Sequence, residues 1–170
     1  HMRQVVRMFM KYGVDSIKLN LSGDNFVPGA DAHTTWMTDA EVAAAAEEVK
    51  MRGKRIIVHA RSKASVQQAL RHGIRLIYHA SFTDEETLDQ LEAHDKAVAM
   101  GYQEEWDAAL DSLSRMHKRG IRVLPGGDYG FAFTPHCQNA RDLEFFVKYL
   151  GFTPMEAIRS TTVYGGQIMM

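Results

Sequence analysis

The chain has 170 residues, of which 45% are hydrophobic and 24% charged, and its formal net charge at pH 7 is -1. This composition is typical of a globular protein with one sizeable core, and it gives no electrostatic basis for binding nucleic acid or an acidic membrane. Cys137 is the one cysteine, so an intrachain disulfide is excluded, and no apolar run approaches the ~20 residues of a membrane span. We therefore expect a cytoplasmic protein with neither nucleic-acid nor membrane partners.

Four segments share one pattern, in which a glycine is followed by a short aliphatic run and then by a polar residue. Glycine tolerates the left-handed conformation that ends a helix, and the short apolar run is typical of a strand buried on both faces. A weaker strand pattern adds a fifth. The sequence therefore predicts strands near residues 14–20, 54–60, 74–80, 96–100 and 121–127.

The stretches between the predicted strands have helical patterns. Capping boxes, in which a Thr precedes a Glu by three residues, indicate helix starts at 38–41, 83–86 and 153–156. Pro154 occupies the favoured first helical position of the last one. We predict helices from residue 38 through an alanine-rich run to Gly53, from 83 to about 94, from about 104 to 117, from 139 to 150, and after 153.

Strands that alternate with helices indicate a parallel sheet. The spacing between Gly53 and Gly73 fits one strand–helix unit, and the spacing between Gly73 and Gly120 fits two. A complete eight-stranded barrel typically needs ~250 residues. We therefore predict an α/β fold, a TIM-type (β/α)8 barrel of which residues 1–170 form one partial domain, about the second half.

Polar residues lie at or near the ends of four predicted strands. Lys18 is near the end of its strand, His59 and His79 end theirs, and Asp128 directly follows its strand. In a barrel these ends converge on the face where active sites form. Two neutral imidazoles and a carboxylate are good ligands for zinc and similar divalent metals, so we predict a metal site here.

Lys18 fits a metal site only in a modified form, because an ammonium group repels a cation. A lysine amine that has reacted with carbon dioxide becomes an anionic carbamate, and burial would favour this by lowering the pKa of the amine. Taken singly, each histidine has a structural alternative as a hydrogen-bonded strand-end residue, and Lys18 as a solvated one. Their equivalent positions favour a shared site, but spacing alone leaves both interpretations open.

Beyond Asp128, a substrate pocket is predicted from aromatic residues and a histidine, namely Tyr129, Phe131 and His136. The alternative is a packed loop with a surface histidine, and the sequence does not decide between the two. Cys137 has no pattern of activating partners nearby in the sequence, so we do not interpret it as a nucleophile.

Several stretches together carry a family resemblance: 13–23, 58–60, 78–80, 126–130, 139–147 and 150–157. In them the chain resembles the imidazolonepropionase-like amidohydrolases of the amidohydrolase superfamily, a group that includes prolidase-like dipeptidases, ochratoxin-hydrolysing amidases and molinate hydrolase. The resemblance implies that Lys18 is a carboxylated lysine bridging two metals and that His59 and His79 bind the second metal. It implies that Asp128 is both a ligand and the catalytic proton shuttle.

The implied activity is metal-dependent hydrolysis of an amide or carbamate-like C–N bond by a metal-activated hydroxide. The substrate would be a small-molecule amide such as a dipeptide or an N-acyl amino acid, which makes the protein peptidase-like. The implied cofactor is a pair of divalent metal ions, and zinc is the metal that we expect first. We also expect a homo-oligomer. Asp128 would take a proton from the attacking hydroxide and deliver it to the leaving nitrogen.

Two features depart from the family pattern. The His-x-His pair that binds the first metal does not occur, and the region near 93–100 is abridged, as if a segment were omitted. The alternative function is therefore a non-catalytic half-barrel that keeps a partial metal site, and a His-x-His segment upstream in the full gene would discriminate between the two. A phosphate-binding half-barrel is a third possibility, but no glycine-rich helix start supports it.

Overall fold

A computed structural model describes residues 1–24, 29–93, 106–130 and 134–169. Its strands are β1 (Ser16–Asn20), β2 (Arg55–Ala60) and β3 (Leu76–His79). Its α-helices are α1 (Met2–Lys11), α2 (Asp39–Met51), α3 (Lys63–Arg71), α4 (Glu85–Ala93), α5 (Trp106–Lys118), α6 (Arg141–Tyr149), α7 (Pro154–Arg159) and α8 (Gly165–Met169). One π-helical segment, Ser160–Tyr164, joins the last two helices.

The three strands form a parallel sheet in the order β1-β2-β3. Lys18 lies beside Ile57 of the middle strand, and His59 lies between Asn20 and Tyr78. Parallel strands joined by helices are the arrangement that the repeated pattern predicted, so the α/β class and the first three predicted strands are confirmed.

The two faces of the sheet differ. One face packs under helices and carries the buried side chains of Ile17, Leu19, Val58 and Ile77. Helices α2 and α3 both contact β2 and supply the other side of this core with Val42, Ala45, Val49, Val66, Ala69 and Leu70. Because side chains alternate along a strand, the intervening residues, Lys18 among them, are left on the opposite face.

The predicted strand at 121–127 is wrong for the described structure, which has no regular secondary structure there. Its apolar side chains are nevertheless buried, as Ile121, Val123 and Leu124 show. Burial needs only apolar side chains, whereas a strand also needs a hydrogen-bonded neighbour. The neighbour expected from the sequence, residues 96–100, lies outside the described residues.

Helix starts follow the capping boxes at two of the three predicted positions. Thr38 and Thr153 each form the full reciprocal box with the Glu three residues later. The third prediction, which made Thr83 the cap, is wrong. Asp84 caps α4 instead: its carboxylate accepts the Thr87 N–H at 3.0 Å, and α4 begins at the next residue, Glu85. The hydroxyl of Thr83 instead donates to Ser112 of α5 at 2.9 Å. Asp caps helices as well as Thr does, which frees Thr83 for this buried contact.

Helix α1 is held to α2 by a cluster of ion pairs around Glu48. The Glu48 side chain is fully buried, and its carboxylate lies 2.5 Å from Arg7, 2.6 Å from Arg52 and 3.4 Å from Arg3. The hydrogen bond from Arg7, followed by that from Arg52, lowers the pKa of Glu48 to about 2. Helix α1 is therefore attached by charge as well as by Val6 in the core.

Within the described ranges, the helices are all too short or too polar to span a membrane.

Candidate metal centre

A cavity of about 500 Å³ lies on the sheet face that the helices leave open. Its lining includes all four predicted ligands, Lys18, His59, His79 and Asp128, together with the predicted pocket residues Tyr129 and His136. The remaining predicted pocket residue, Phe131, lies outside the described residues. Residues that are up to 118 positions apart in the chain are thus brought to one cavity, and three of them, Lys18, His59 and His79, come from parallel strands.

Most of the other residues that line the cavity are apolar. They include Ile57, Leu76 and Tyr78 from the strands, and Leu124, Pro125 and Ile168 from the later part of the chain. The Arg55 guanidinium donates to the carbonyl oxygen of Ile168 and ties α8 to β2. A mostly apolar concavity with a few convergent polar groups is typical of a small-molecule site.

His59 is buried and is oriented by the loop that follows β1. Its Nε2 lies 3.0 Å from the carbonyl oxygen of Gly23, and because a carbonyl only accepts, Nε2 carries the hydrogen. Burial lowers the pKa of His59, which favours the neutral ring. This tautomer leaves the lone pair on Nδ1, and a histidine that donates its other ring N–H to a carbonyl is the usual arrangement of a metal ligand.

Gly23 can present its carbonyl to His59 only because it lacks a side chain. A Cβ atom added there would lie 2.1 Å from the carbonyl oxygen of Asp31, far inside van der Waals contact. The backbone N–H of Leu21 also donates to the carbonyl oxygen of His59 at 2.9 Å. The loop after β1 therefore holds both the backbone and the ring of His59.

His79 has a left-handed backbone, with φ 77°, and so does Ala80, with φ 46°. Such values are uncommon for residues other than glycine and concentrate at functional sites. In a regular strand, Tyr78 and His79 would point to opposite faces, yet both line the cavity. The left-handed turn that ends β3 accompanies this departure, and the His79 ring contacts that of His59, with centroids 4.4 Å apart.

Lys18 lies on the open sheet face but is exposed to solvent. Its Nζ atom lies 5.3 Å from the centroid of the Tyr78 ring, a cation–π contact. The expectation that Lys18 is buried is therefore wrong for the described structure. Carboxylation of Lys18 stays a prediction that rests on its neighbours in the cavity.

Asp128 is also exposed and has a left-handed backbone, with φ 48°. Its carbonyl oxygen accepts a hydrogen bond from Thr134 Oγ1 at 3.3 Å. Beside it, the Tyr129 hydroxyl donates to Asp142 Oδ1 at 2.6 Å, and burial together with this contact raises the pKa of Tyr129 to about 12. Tyr129 thus lines the cavity with its ring while its hydroxyl is bonded to α6.

His136 is exposed at the rim of the cavity and lies close to Gly130. A Cβ atom at Gly130 would be 3.3 Å from His136 Nε2, and the Gly130 N–H donates to the carbonyl oxygen of Thr134 at 2.8 Å. His136 therefore belongs both to the cavity lining and to a closely packed loop, and the two alternatives for this residue do not exclude each other.

The donor set suits a divalent metal in its chemistry. Two imidazoles lie in contact, one of them hydrogen-bonded to the Gly23 carbonyl oxygen, and Asp128 and Lys18 share their cavity. Among the described residues, however, no three His, Cys, Asp or Glu side chains lie close enough to hold a metal ion. The ligand roles of Lys18, His59, His79 and Asp128 accordingly stay predictions.

Two elements of this site were not predicted from the sequence. The Gly23 carbonyl acts through its backbone, and the stretch 13–23 drew attention for its family resemblance, not for this contact. Asp142 stands in the first turn of α6, where an acidic residue is explained by the helix dipole alone. A contact between positions 129 and 142 has no signal in spacing or composition.

Comparison with known proteins relates the chain to hydrolases. No family model matches it. Ochratoxinase from Aspergillus niger is 25% identical over 94% of this chain, which spans 37% of the length of ochratoxinase. The crystal structure of A. niger ochratoxinase aligns with a TM-score of 0.82 at 22% identity, over 95% of this chain and 41% of that one.

Two further solved structures have the same fold. A Xaa-Pro dipeptidase with bound methionine in its active site aligns with a TM-score of 0.83 at 22% identity, over 99% of this chain and 47% of that one. Molinate hydrolase aligns with a TM-score of 0.76 at 18% identity, over 97% of this chain and 44% of that one.

The chain is therefore similar in sequence to ochratoxinase over most of its length, and its fold matches those of ochratoxinase, a Xaa-Pro dipeptidase and molinate hydrolase, as the family resemblance of its sequence predicted. Among the proteins it is similar to are ochratoxinase and molinate hydrolase, and it spans less than half the length of each.

Proposed function

We propose that the protein hydrolyses an amide or carbamate-like C–N bond in a small molecule, such as a dipeptide or an N-acyl amino acid, with the help of divalent metal. The observation that carries this proposal is the single cavity shared by Lys18, His59, His79 and Asp128. Names of similar proteins, among them a dipeptidase and ochratoxinase, support the same reaction class.

In this proposal each polar residue of the cavity has a separate role. His59, through Nδ1, and His79 would hold the divalent metal, preferably zinc, and Lys18, as a carbamate, would be a further anionic ligand. A bound metal supplies a water of lowered pKa and polarises the scissile carbonyl. Asp128 accepts the proton of the attacking water and then donates it to the leaving nitrogen.

The apolar wall formed by Ile57, Leu76 and Tyr78 would contact the apolar part of the substrate and exclude bulk water. His136 and Asn139, at the rim, are placed to hydrogen-bond its polar part. We further propose that residues 1–170 are about the second half of a TIM-type (β/α)8 barrel. The abridged segment suggested near 93–100 falls mostly outside the described residues. A cytoplasmic location and a homo-oligomer complete the proposal.

A direct assay tests this function. The purified protein is loaded with zinc, stripped with a chelator and reloaded, and each form is incubated with a panel of dipeptides and N-acyl amino acids. We expect hydrolysis that disappears on stripping and returns on reloading. His79→Asn should abolish it, whereas His72→Asn, which changes a histidine at the end of α3 away from the cavity, should not. A folded, zinc-loaded protein that hydrolyses no member of the panel would overturn the proposal.

One observation favours an alternative, a non-catalytic half-barrel with a partial metal site. The described residues hold no convergent trio of His, Cys, Asp or Glu. Under this alternative the protein would bind one zinc ion through His59 and His79 and would leave the whole panel intact.

A further inference from the structure

The loop that carries Asp128 is connected to α6 by a partly buried hydrogen bond. Tyr129, the next residue, donates its hydroxyl hydrogen to Asp142 Oδ1 at 2.6 Å, and the Gln138 carbonyl oxygen lies 3.1 Å from the same hydroxyl. Asp142 is 8% exposed. A hydrogen bond of this length from a hydroxyl to a carboxylate is charge-assisted and about twice as strong as one between neutral groups.

The residue before Asp128 contributes to the same contact. A Cβ atom at Gly127 would lie 2.6 Å from the Tyr129 ring and 3.1 Å from Asp142 Oδ1. The backbone at Gly127, the ring of Tyr129 and the carboxylate of Asp142 therefore pack together with no room for a side chain. Asp128 lies between Gly127 and Tyr129, and this packing holds both of them in place.

The direction of the Asp128 carboxylate is set by the backbone conformation of this residue. Within the described ranges its carboxylate forms no hydrogen bond, while its φ of 48° is a conformation that costs energy for a residue other than glycine. Such a turn persists only where its surroundings impose it. The bond from Thr134 Oγ1 to the Asp128 carbonyl oxygen is one constraint, and the Tyr129–Asp142 contact is the shorter one.

We propose that Asp142 is a positioning residue: by holding the Tyr129 hydroxyl, it fixes the left-handed turn that places the Asp128 carboxylate on the cavity. The structural part of this inference stands on the contacts of the loop alone. Its effect on turnover rests on the proposed function, in which Asp128 transfers the proton.

Two variants break the contact from either side. Tyr129→Phe removes only the hydroxyl, and Asp142→Ala removes the acceptor, while Asp142→Asn keeps an acceptor oxygen. We expect Tyr129→Phe and Asp142→Ala to lower kcat roughly tenfold or more, as for loss of a hydrogen bond to a charged group, with little change in KM. Asp142→Asn should recover part of the rate. Tyr149→Phe, at the exposed end of the same helix, is the control and should match the wild type.

A readout that does not need activity separates this inference from the proposed function. In a crystal structure of Tyr129→Phe we expect the Asp128 backbone to leave the left-handed region while α6 stays in place. If the wild type hydrolyses nothing but this turn is lost in Tyr129→Phe, the positioning holds and the proposed function fails. The inference is overturned if Asp128 keeps its φ near 48° in Tyr129→Phe. It is equally overturned if an active wild type and this variant agree in kcat within twofold.

Discussion

The imidazole rings of His59 and His79 meet edge to face, with centroids 4.4 Å apart and planes inclined by 70°. Their strands pair so that His79 lies beside Ala60, one position beyond His59. Regular alternation would therefore send the two rings to opposite faces of the sheet. They meet because the backbone turns left-handed where β3 ends. Such a departure from regular geometry, here at His79, is a feature that concentrates at functional sites.

Removing both rings should remove the metal. We expect the His59→Ala/His79→Ala double variant to be purified with far less bound metal than the wild type, because these two contacting imidazoles are the nitrogen ligands that we predict. Elemental analysis of both proteins measures this, with His72→Ala as a control away from the cavity. Equal metal content in the wild type and the double variant would show that the site lies elsewhere.

Gly23→Ala should weaken zinc binding without touching a ligand. The new Cβ atom would lie 2.1 Å from the Asp31 carbonyl oxygen, so the loop must move and the Gly23 carbonyl must leave His59 Nε2. Loss of such a supporting contact typically costs ~10–100-fold in metal affinity. Competition with a chromophoric chelator gives the affinity. Gly166→Ala, where a Cβ atom meets nothing within 4 Å, is the matched control. Similar affinities for the two variants would count against a role for this carbonyl.

Lys18→Ala should abolish hydrolysis, and short-chain carboxylates such as acetate or propionate should restore part of it. An added carboxylate can occupy the position of the carbamate, which is the anionic form that we predict for Lys18 in the metal-loaded protein. Activity titrated against carboxylate concentration tests this, with Lys50→Ala on α2 as the control. A high-resolution map that shows a bare Lys18 amine pointing away from a loaded metal would contradict the prediction.

The first three strands and most helix starts could be predicted because their causes are local. A glycine that ends a helix, a short aliphatic run and a threonine three residues before a glutamate each act within one turn of chain. That Lys18, His59 and His79 line one cavity was also predictable, since the ends of parallel strands meet whatever the loops between them. These features need no knowledge of which distant residues touch.

The features that the sequence did not reveal depend on contacts between distant positions. Thr83 does not cap α4 as predicted, because its hydroxyl donates instead to Ser112 on α5. The exposure of Lys18 depends on what covers the open sheet face, and residues 121–127 lack a strand because pairing, not apolar content, defines one. Asp142 acquires its role from Tyr129, and neither residue signals the other along the chain.

Glu48 should make stability depend on pH. Its pKa in the folded protein is about 2, below the ordinary 4.5, so its ion pairs stabilise the fold above about pH 4.5 and are lost as pH falls toward 2. Glu48→Gln should therefore unfold at a lower temperature than the wild type at pH 7, and this gap should narrow steadily below pH 4.5. Thermal unfolding at several pH values measures it. Glu47→Gln, whose side chain is 63% exposed, is the neighbouring control and should show a much smaller gap. A gap for Glu48→Gln that stays constant from pH 7 to pH 3 would contradict the assignment.

Replacing Asp128 should reduce the rate of hydrolysis much more than it reduces metal binding. Asp128 lines the cavity beside the two histidines but is exposed, and as one of several predicted ligands it would contribute only part of the affinity. As the proposed proton shuttle it would take part in both proton transfers, a role typically worth ~10²–10⁴-fold in rate. Asp128→Asn keeps the size of the side chain and one possible ligand oxygen, but it removes the base. We therefore expect this variant to retain most of its metal and to lose nearly all turnover, measured as metal stoichiometry alongside kcat for any amide that the wild type accepts. If kcat stays within a few-fold of the wild type, Asp128 does not carry the proton, whereas a loss of metal in parallel with the rate would make it a ligand first. The combination of retained metal and lost turnover is the one that neither a purely structural aspartate nor a purely ligating one would produce.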